Sequence, residues 1–546
     1  MFLGNFDSGK NTLLFESDIH SSVQFKDKNV QCSFFGEMMS SKKDATLAYR
    51  KFLKNNNSKD ILFLKGNYQT VIHIEDTLFL FSDIANCRPI YYTELGNKLI
   101  FSSNLHFIQD KLPSQLNHHH LSKQLLTGGL HIDGETPYQK IKKIAGGYGL
   151  VVKNGSTRLF RAWIIDDDPP LSLEEGQYLL KKQLIEAVLY RSKNRQVTSD
   201  LSGGLDSSTL AWIASNDKEI RTITFVGKEE NEDAFIARKI IELRGNIIPD
   251  FIGYDNIPPN YSNIESFHTD SPIPFLWSAS KFRSKLRWAK ENESDIHFCG
   301  EGADTVIEPS LTYLIDLLKQ KKLFMFWDHT REWARKFNES PWNWMNISMR
   351  LALNINTPKN MKKRHSLLLD PVHIDWLKKQ EGIIQNKHSK YRGVSDTLRG
   401  IYYLGYVSHG LRELSVQEGV NLAMPYLDHN IIRTCMRIKS EDKMNPQMLK
   451  PLLKKSFQDD LPNCLLNRNT KGNYTADLYH GVRIHQNWFE NNFKSMILSD
   501  IGLVNLSKFQ ECIQKLLLGL PVRLPEFNQT LAVEMWLRQE NMRGRL

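Results

Sequence analysis

Cysteine is sparse in this sequence, and nothing in its placement suggests a metal knuckle or a disulfide scaffold. The six residues Cys32, Cys87, Cys299, Cys435, Cys464 and Cys512 are scattered over 546 positions without a CxxC pair. This excludes a zinc ribbon or a stapled secreted fold and predicts reduced thiols in a cytoplasmic protein. Long apolar runs are absent too. No uncharged stretch reaches the roughly 18 residues needed to span a bilayer, and the opening MFLGNFDSGKNTLLFESD lacks a basic segment leading into an apolar core and a small-residue cleavage site. No membrane partner is expected. Repeats of fixed period and low-complexity tracts are missing as well. Lys and Arg outnumber Asp and Glu by 71 to 61, giving a net charge of +10, which suits an anionic partner such as a nucleotide or an acidic peptide. The basic residues are spread along the chain without a recognition motif, so nucleic acid is not expected.

With 41% hydrophobic and 24% charged residues, the composition is that of a globular protein, and the length calls for more than one core. From about residue 20 to residue 165, short apolar stretches such as DILFLKG, TVIHIED, TLFLFSD and GLVVKNG alternate with turns, predicting an antiparallel β-rich domain over 1–168. The acidic, proline-containing stretch IIDDDPPLSLEEG closes it, with Ser172 placed to cap the helix that follows. A second domain over 169–546 opens with strand, turn, helix and strand, the alternation of a parallel α/β sheet. Beyond about residue 310 the pattern is mostly helical, with Trp and Leu at core spacing.

The segment QVTSDLSGGLDSSTLAWIAS carries the most chemistry. A short strand runs into Ser202, Gly203, Gly204, Leu205, Asp206, Ser207 and Ser208, and an amphipathic helix follows. Glycines let the backbone turn tightly with N–H groups inward, the hydroxyls add donors, and the helix N-terminus adds partial positive charge, so the loop should cradle phosphate. A carboxylate, Asp206, fits there when a divalent cation such as Mg²⁺ is bound between it and the phosphates of ATP. The loop is not a Walker A loop, since GxxxxGK[ST] is missing and it contains no lysine. Further along, IHFCGEGADTVI repeats the logic, with Gly300 allowing close approach, Asp304 as a second metal ligand and Glu301 as a base for an amine. The three histidines His118, His119 and His120 point in different directions on any regular element, so they are read as a loop entering a helix and not as a metal site.

The first loop resembles the pyrophosphate loop of ATP pyrophosphatases, and with GEGAD, GVNLAMPYLDHNII and LKPLLKKSFQDDLPNCLLNRNTKGNYTADLYHGVR the resemblance is to the asparagine synthetase family. The resemblance implies attack by a substrate oxygen on the α-phosphorus of Mg-ATP, with Asp206 and Asp304 on the metal and Ser202, Gly203, Gly204, Ser207, Ser208 and Gly300 around the phosphates. Glu301 would contact or deprotonate the amine. The Arg-x-x-Lys-Gly segment would place Lys471 in the active site, whereas Asp428 and His429 would be structural. Arg412, Glu413 and Lys450 lie near these segments and are candidates to line the site, with no chemical role assigned.

The stretch LKGNYQTVIHIEDTLFLFSDIANCRPIYYTELGNKLIFSSNL resembles the class II glutamine amidotransferase domain of the same family. The expected fold is therefore an antiparallel amidotransferase-like domain followed by a parallel-sheet, ATP-pyrophosphatase-like synthetase domain with a large helical part. Those glutaminases use an N-terminal cysteine, and here the first cysteine is Cys32, so the domain is expected to be a degenerate scaffold. Lasso peptide cyclases share that loss, and the TKGNYTADLYHGVR segment looks like theirs. They adenylate an Asp or Glu side chain of a precursor peptide and close a macrolactam on its freed N-terminal amine. That resemblance implies a core-peptide substrate, a leader-binding protein and a leader peptidase. A β-lactam synthetase, an ammonia-dependent amide synthetase and an inactive nucleotide-binding interaction protein are the alternatives.

Overall fold

A computed structural model describes residues 1–17, 22–27, 30–129, 134–227, 232–353, 388–468 and 475–546. The N-terminal part contains two antiparallel sheets. The first has the order β2-β1-β8-β7-β9, formed by β1 (Phe2–Asp7), β2 (Thr12–Ser17), β7 (Tyr91–Leu95), β8 (Lys98–Ser102) and β9 (Lys142–Lys143). The second has the order β11-β10-β6-β5-β4-β3, formed by β3 (Ser22–Asp27), β4 (Val30–Met38), β5 (Gly66–Ile74), β6 (Thr77–Phe81), β10 (Tyr148–Lys153) and β11 (Ser156–Arg161). Alternate residues of facing strands fill the space between them: Phe2, Phe6, Phe35, Val71, Leu80, Phe101 and Leu150 form one buried cluster. The helix Lys42–Asn55 covers the opposite face of the second sheet. Its Phe52 ring lies 5.2 Å from that of Phe79 and 5.7 Å from that of Phe81.

The strand pattern starts earlier than residue 20. Phe2 and Phe6 alternate inward on β1, and Asp7 Oδ1 accepts from the backbone N–H of Gly9 and Lys10 to make the turn into β2. Gly4 takes an inward position on β1 and Leu14 is exposed on β2, so apolar residues do not alternate cleanly along the hairpin.

After the N-terminal sheets the chain enters the helix Leu173–Ser192 through a capping box. Ser172 Oγ accepts from Glu175 N at 3.2 Å, and Glu175 Oε2 accepts from Ser172 N at 3.1 Å. The C-terminal sheet is parallel throughout, in the order β14-β13-β12-β15-β16, from β12 (Val197–Asp200), β13 (Ile220–Phe225), β14 (Ile247–Ile252), β15 (Ile296–Phe298) and β16 (Asn421–Ala423). Helices flank it and continue to the end of the chain. β16 interrupts the helical region read beyond residue 310; three residues are too few to show a period.

Strand order reverses between β12 and β15, so the crevice outside their carboxyl ends is where an open α/β sheet takes its ligands. The two parts of the molecule are locked by Arg191, 1% exposed. Its guanidinium grips Asp428 with two bonds of 2.9 and 2.7 Å and donates to Glu37 at 2.7 Å. Among the described residues no helix is long and apolar enough to cross a membrane.

Candidate active site

The chain leaves β12 into the loop that the sequence singles out. Gly203 has φ +68°, and a Cβ there would stand 2.1 Å from the Asp233 carbonyl oxygen, so only glycine fits. Gly204 is the N-cap of the helix Leu205–Ala214 and provides no side-chain cap, which leaves the first N–H groups of that helix directed into the crevice. Ser202 and Ser207 close the loop on itself, their hydroxyls 2.8 Å apart, while Gly204 N donates to Ser202 Oγ at 3.3 Å. Ser208 is buried, and its hydroxyl has no hydrogen-bond partner among the described residues.

β15 lies alongside β12 in parallel register, Ser199 facing Phe298, and this brings the second loop against the first. A Cβ on Gly300 would stand 2.7 Å from the backbone nitrogen of Ser207 and 3.0 Å from Asp206 Cβ. Gly302, at φ +106°, turns the chain into the short helix Ala303–Ile307, which carries Asp304. Asp206 and Asp304 then converge on one ammonium group. Lys450 Nζ is ion-paired with Asp206 and lies 2.6 Å from Asp304 Oδ1. Lys450 sits in left-handed backbone at φ +50° ahead of Pro451, and its N–H is held by Glu308 Oε1 at 2.9 Å. Burial would drive the proton from Lys450, and Asp206 and Asp304 more than reverse this, raising its proton affinity. Arg468, the first residue of the Arg-x-x-Lys-Gly segment, joins its guanidinium to Gly203 O and Asp233. Lys471 lies outside the described residues.

Glu301 stands on the second loop, half-buried. Its charge reaches Tyr403, whose hydroxyl is raised first by burial and then by Glu301. Asp428 and His429 sit away from this chemistry at the contact between the two parts, where His429 Nδ1 lies 2.8 Å from Leu62 O. Arg412 faces Glu37 at 3.6 Å, and Glu413 accepts from Asp270 N at 3.2 Å. The histidine run opens a helix, His118–Thr127, with Asn117 Oδ1 capping His120 N at 3.1 Å. A cavity of about 520 Å³ beside Met1 also touches Cys87 and Arg412. Burial pushes the Cys87 thiol well above its ordinary value, so it stays protonated there.

The sequence reading leaves Lys450 without a role because its only local signal is a lysine before a proline; its two partners come from loops far away in the chain. The donor set fits a divalent cation. Two carboxylates from separate loops already share one positive charge, next to a helix N-terminus without a side-chain cap, a geometry that suits an anion.

The asparagine synthase family model matches residues 179–538. Asparagine synthetase [glutamine-hydrolyzing] 3 of Bacillus subtilis (strain 168) is 21% identical over 421 residues, covering 72% of this chain and 64% of that protein. Asparagine synthetase [glutamine-hydrolyzing] 2 of the same organism is 27% identical over 216 residues, 35% of this chain and 28% of that protein. The chain thus spans less than two thirds of the length of either relative. Among solved structures, the glutamine PRPP amidotransferase of B. subtilis aligns over 51% of this chain and 62% of that chain at 10% identity, with a TM-score of 0.18 that carries no weight.

Proposed function

Because the chain belongs to the asparagine synthase family, we propose that it joins a carboxylate to an amine, driven by ATP, by way of an acyl-adenylate. The observation that carries this reading is the meeting of Asp206 and Asp304 on one cation beside the open N-terminus of the helix Leu205–Ala214. The loop N–H groups and the Ser202 and Ser207 hydroxyls hold the β- and γ-phosphates. A carboxylate oxygen bonds to the α-phosphorus, the bond to the β-phosphate oxygen breaks, and pyrophosphate leaves. Mg²⁺ held by Asp206 and Asp304 would neutralise the charge on that leaving group. Lys450 and Arg468 keep positive charge fixed around the loop. In the second half the amine nitrogen bonds to the acyl carbon, AMP leaves with the carbon–oxygen bond pair, and Glu301 takes the amine proton.

We further propose that carboxylate and amine belong to one peptide, so that the product is a macrolactam and the enzyme is a lasso peptide cyclase. The TKGNYTADLYHGVR segment and the Glu301 loop support this over a small-molecule synthetase. In the N-terminal part burial raises the thiols of Cys32 and Cys87, which fits an amine source other than glutamine. On this reading the substrate is a precursor core peptide, and a leader-binding protein and a leader peptidase act with the enzyme, since the attacking amine exists only after the leader is cut. Ring closure also requires the pocket to keep water from the acyl-adenylate while both reacting ends are held together.

The test is mass spectrometry of a leader-cleaved peptide incubated with enzyme and Mg-ATP. Loss of one water per peptide with matching AMP is expected. AMP formed only with a small amino acid derivative or ammonia would replace this reading with that of a small-molecule amide synthetase.

A further inference from the structure

Polar side chains sit at the centre of the parallel sheet, where burial without partners is costly. β12 carries Thr198, Ser199 and Asp200 and β15 carries His297, all buried. They form a chain of contacts. Thr198 Oγ1 lies 2.9 Å from both Ser294 Oγ and His297 Nδ1, and Asp200 Oδ1 lies 3.5 Å from His297 Nε2 and 3.0 Å from Lys285 Nζ. Lys285, from the helix Ala279–Glu291, is the most exposed of the three titratable members: its side chain is 25% exposed, against 11% for Asp200 and 0% for His297.

The Lys285 ammonium lies 5.3 Å from the centre of the Phe225 ring at the end of β13. Burial would release its proton, and Asp200, with Glu301, keeps it on. The group therefore stands by the carboxyl ends of β13, β12 and β15, between the strand that leads into the phosphate loop and the loop that carries Glu301. Among the described residues, Lys450 and Arg468 stand at the phosphate loop itself, held by Asp206, Asp304, Gly203 and Asp233. A carboxylate approaching a polyphosphate is repelled by it, by several kcal/mol at contact distance even in a partly screened site. A cation on the carboxylate's side of the cleft offsets this repulsion directly.

We propose that Lys285 receives the substrate's reacting carboxylate and thereby selects carboxylates over amides, with Asp200 positioning it from below. This rests on the acyl-adenylate reading above. The carboxylate binds as the anion, with one charge-assisted hydrogen bond from Nζ, and Asp200 keeps Lys285 protonated for that purpose.

The experiment titrates two synthetic peptides into the full chain in the presence of Mg²⁺ and α,β-methylene-ATP. Each has a free N-terminal glycine; one contains a single aspartate and the other asparagine in its place. The wild type should bind the aspartate peptide about 10- to 100-fold more tightly, as expected of a charged hydrogen bond. Lys285→Met should bring the two peptides within about twofold of each other, Lys285→Arg should restore most of the preference, and affinity for the ATP analogue should stay unchanged. An intact preference in Lys285→Met, no preference in the wild type, or lost affinity for the ATP analogue would overturn the proposal. If Lys285→Met does not fold, the paired change Asp200→Asn with Lys285→Met removes both charges and should abolish the preference in the same way; a preference that survives it overturns the proposal. A preserved preference in an enzyme that releases no pyrophosphate from ATP would instead refute the acyl-adenylate reading.

Discussion

At the scale of single residues, the proposed function rests most on Asp206 and Asp304, whose carboxylates both meet Lys450. Asp206→Ala or Asp304→Ala should lower substrate-dependent pyrophosphate release by about 10²- to 10³-fold or more, the range for losing a fixed electrostatic contact to a transition state. Glu301→Gln should leave pyrophosphate release near normal and slow amide formation, because only the second half-reaction needs the amine proton removed; single-turnover assays of pyrophosphate and amide separate the two. Lys450→Met leaves the two carboxylates facing each other without a cation. It should bind Mg²⁺ alone more tightly than the wild type, measured as a larger rise in melting temperature on adding the ion, because no ammonium group competes for the site. An unchanged response would mean that the carboxylates do not form one cation site.

At the scale of elements, the cap at Ser172 is the simplest point to probe. Ser172→Ala removes the bond to Glu175 N and should cost about 1 kcal/mol in urea unfolding, without altering pyrophosphate release. This cap was legible because the Ser-x-x-Glu spacing announces itself before a helix, and the phosphate loop was legible for a similar reason, since strand, glycine turn and helix are contiguous. What the sequence hides is whatever depends on distant partners. Lys450 pairs with an aspartate 244 positions away, and Lys285 acquires its meaning only when β12, β13 and β15 come together. β16 was missed because three residues are too few for a period to emerge, and the hairpin of β1 and β2 because Gly4 takes an inward position and Leu14 an exposed one, which blurs the alternation. Lys471 is placed in the site by resemblance alone.

At the scale of the molecule, one buried cluster of charges joins the two parts. Burial alone would raise the Glu37 carboxyl, but Arg191, Arg412 and Arg88 outweigh it and hold the group at about 2, from an ordinary value of 4.5. A depressed carboxyl stabilises the fold fully above its unfolded value, and that contribution fades as pH falls from about 4.5 through about 2. Glu37→Gln should therefore be less stable than the wild type near neutral pH by about 3 kcal/mol, with the gap closing in acid. Urea unfolding of both proteins across that window measures it, and a gap independent of pH would remove Glu37 from the account. The central claim, however, is that this molecule activates a carboxylate as its adenylate, and the most direct measurement follows the oxygen. A peptide whose aspartate or glutamate carboxylate is labelled with oxygen-18 is incubated with enzyme and Mg-ATP, and the AMP is analysed by mass spectrometry. The account predicts that each AMP carries one oxygen-18 atom as the amide forms. Unlabelled AMP, or ADP and phosphate in place of AMP and pyrophosphate, would contradict it.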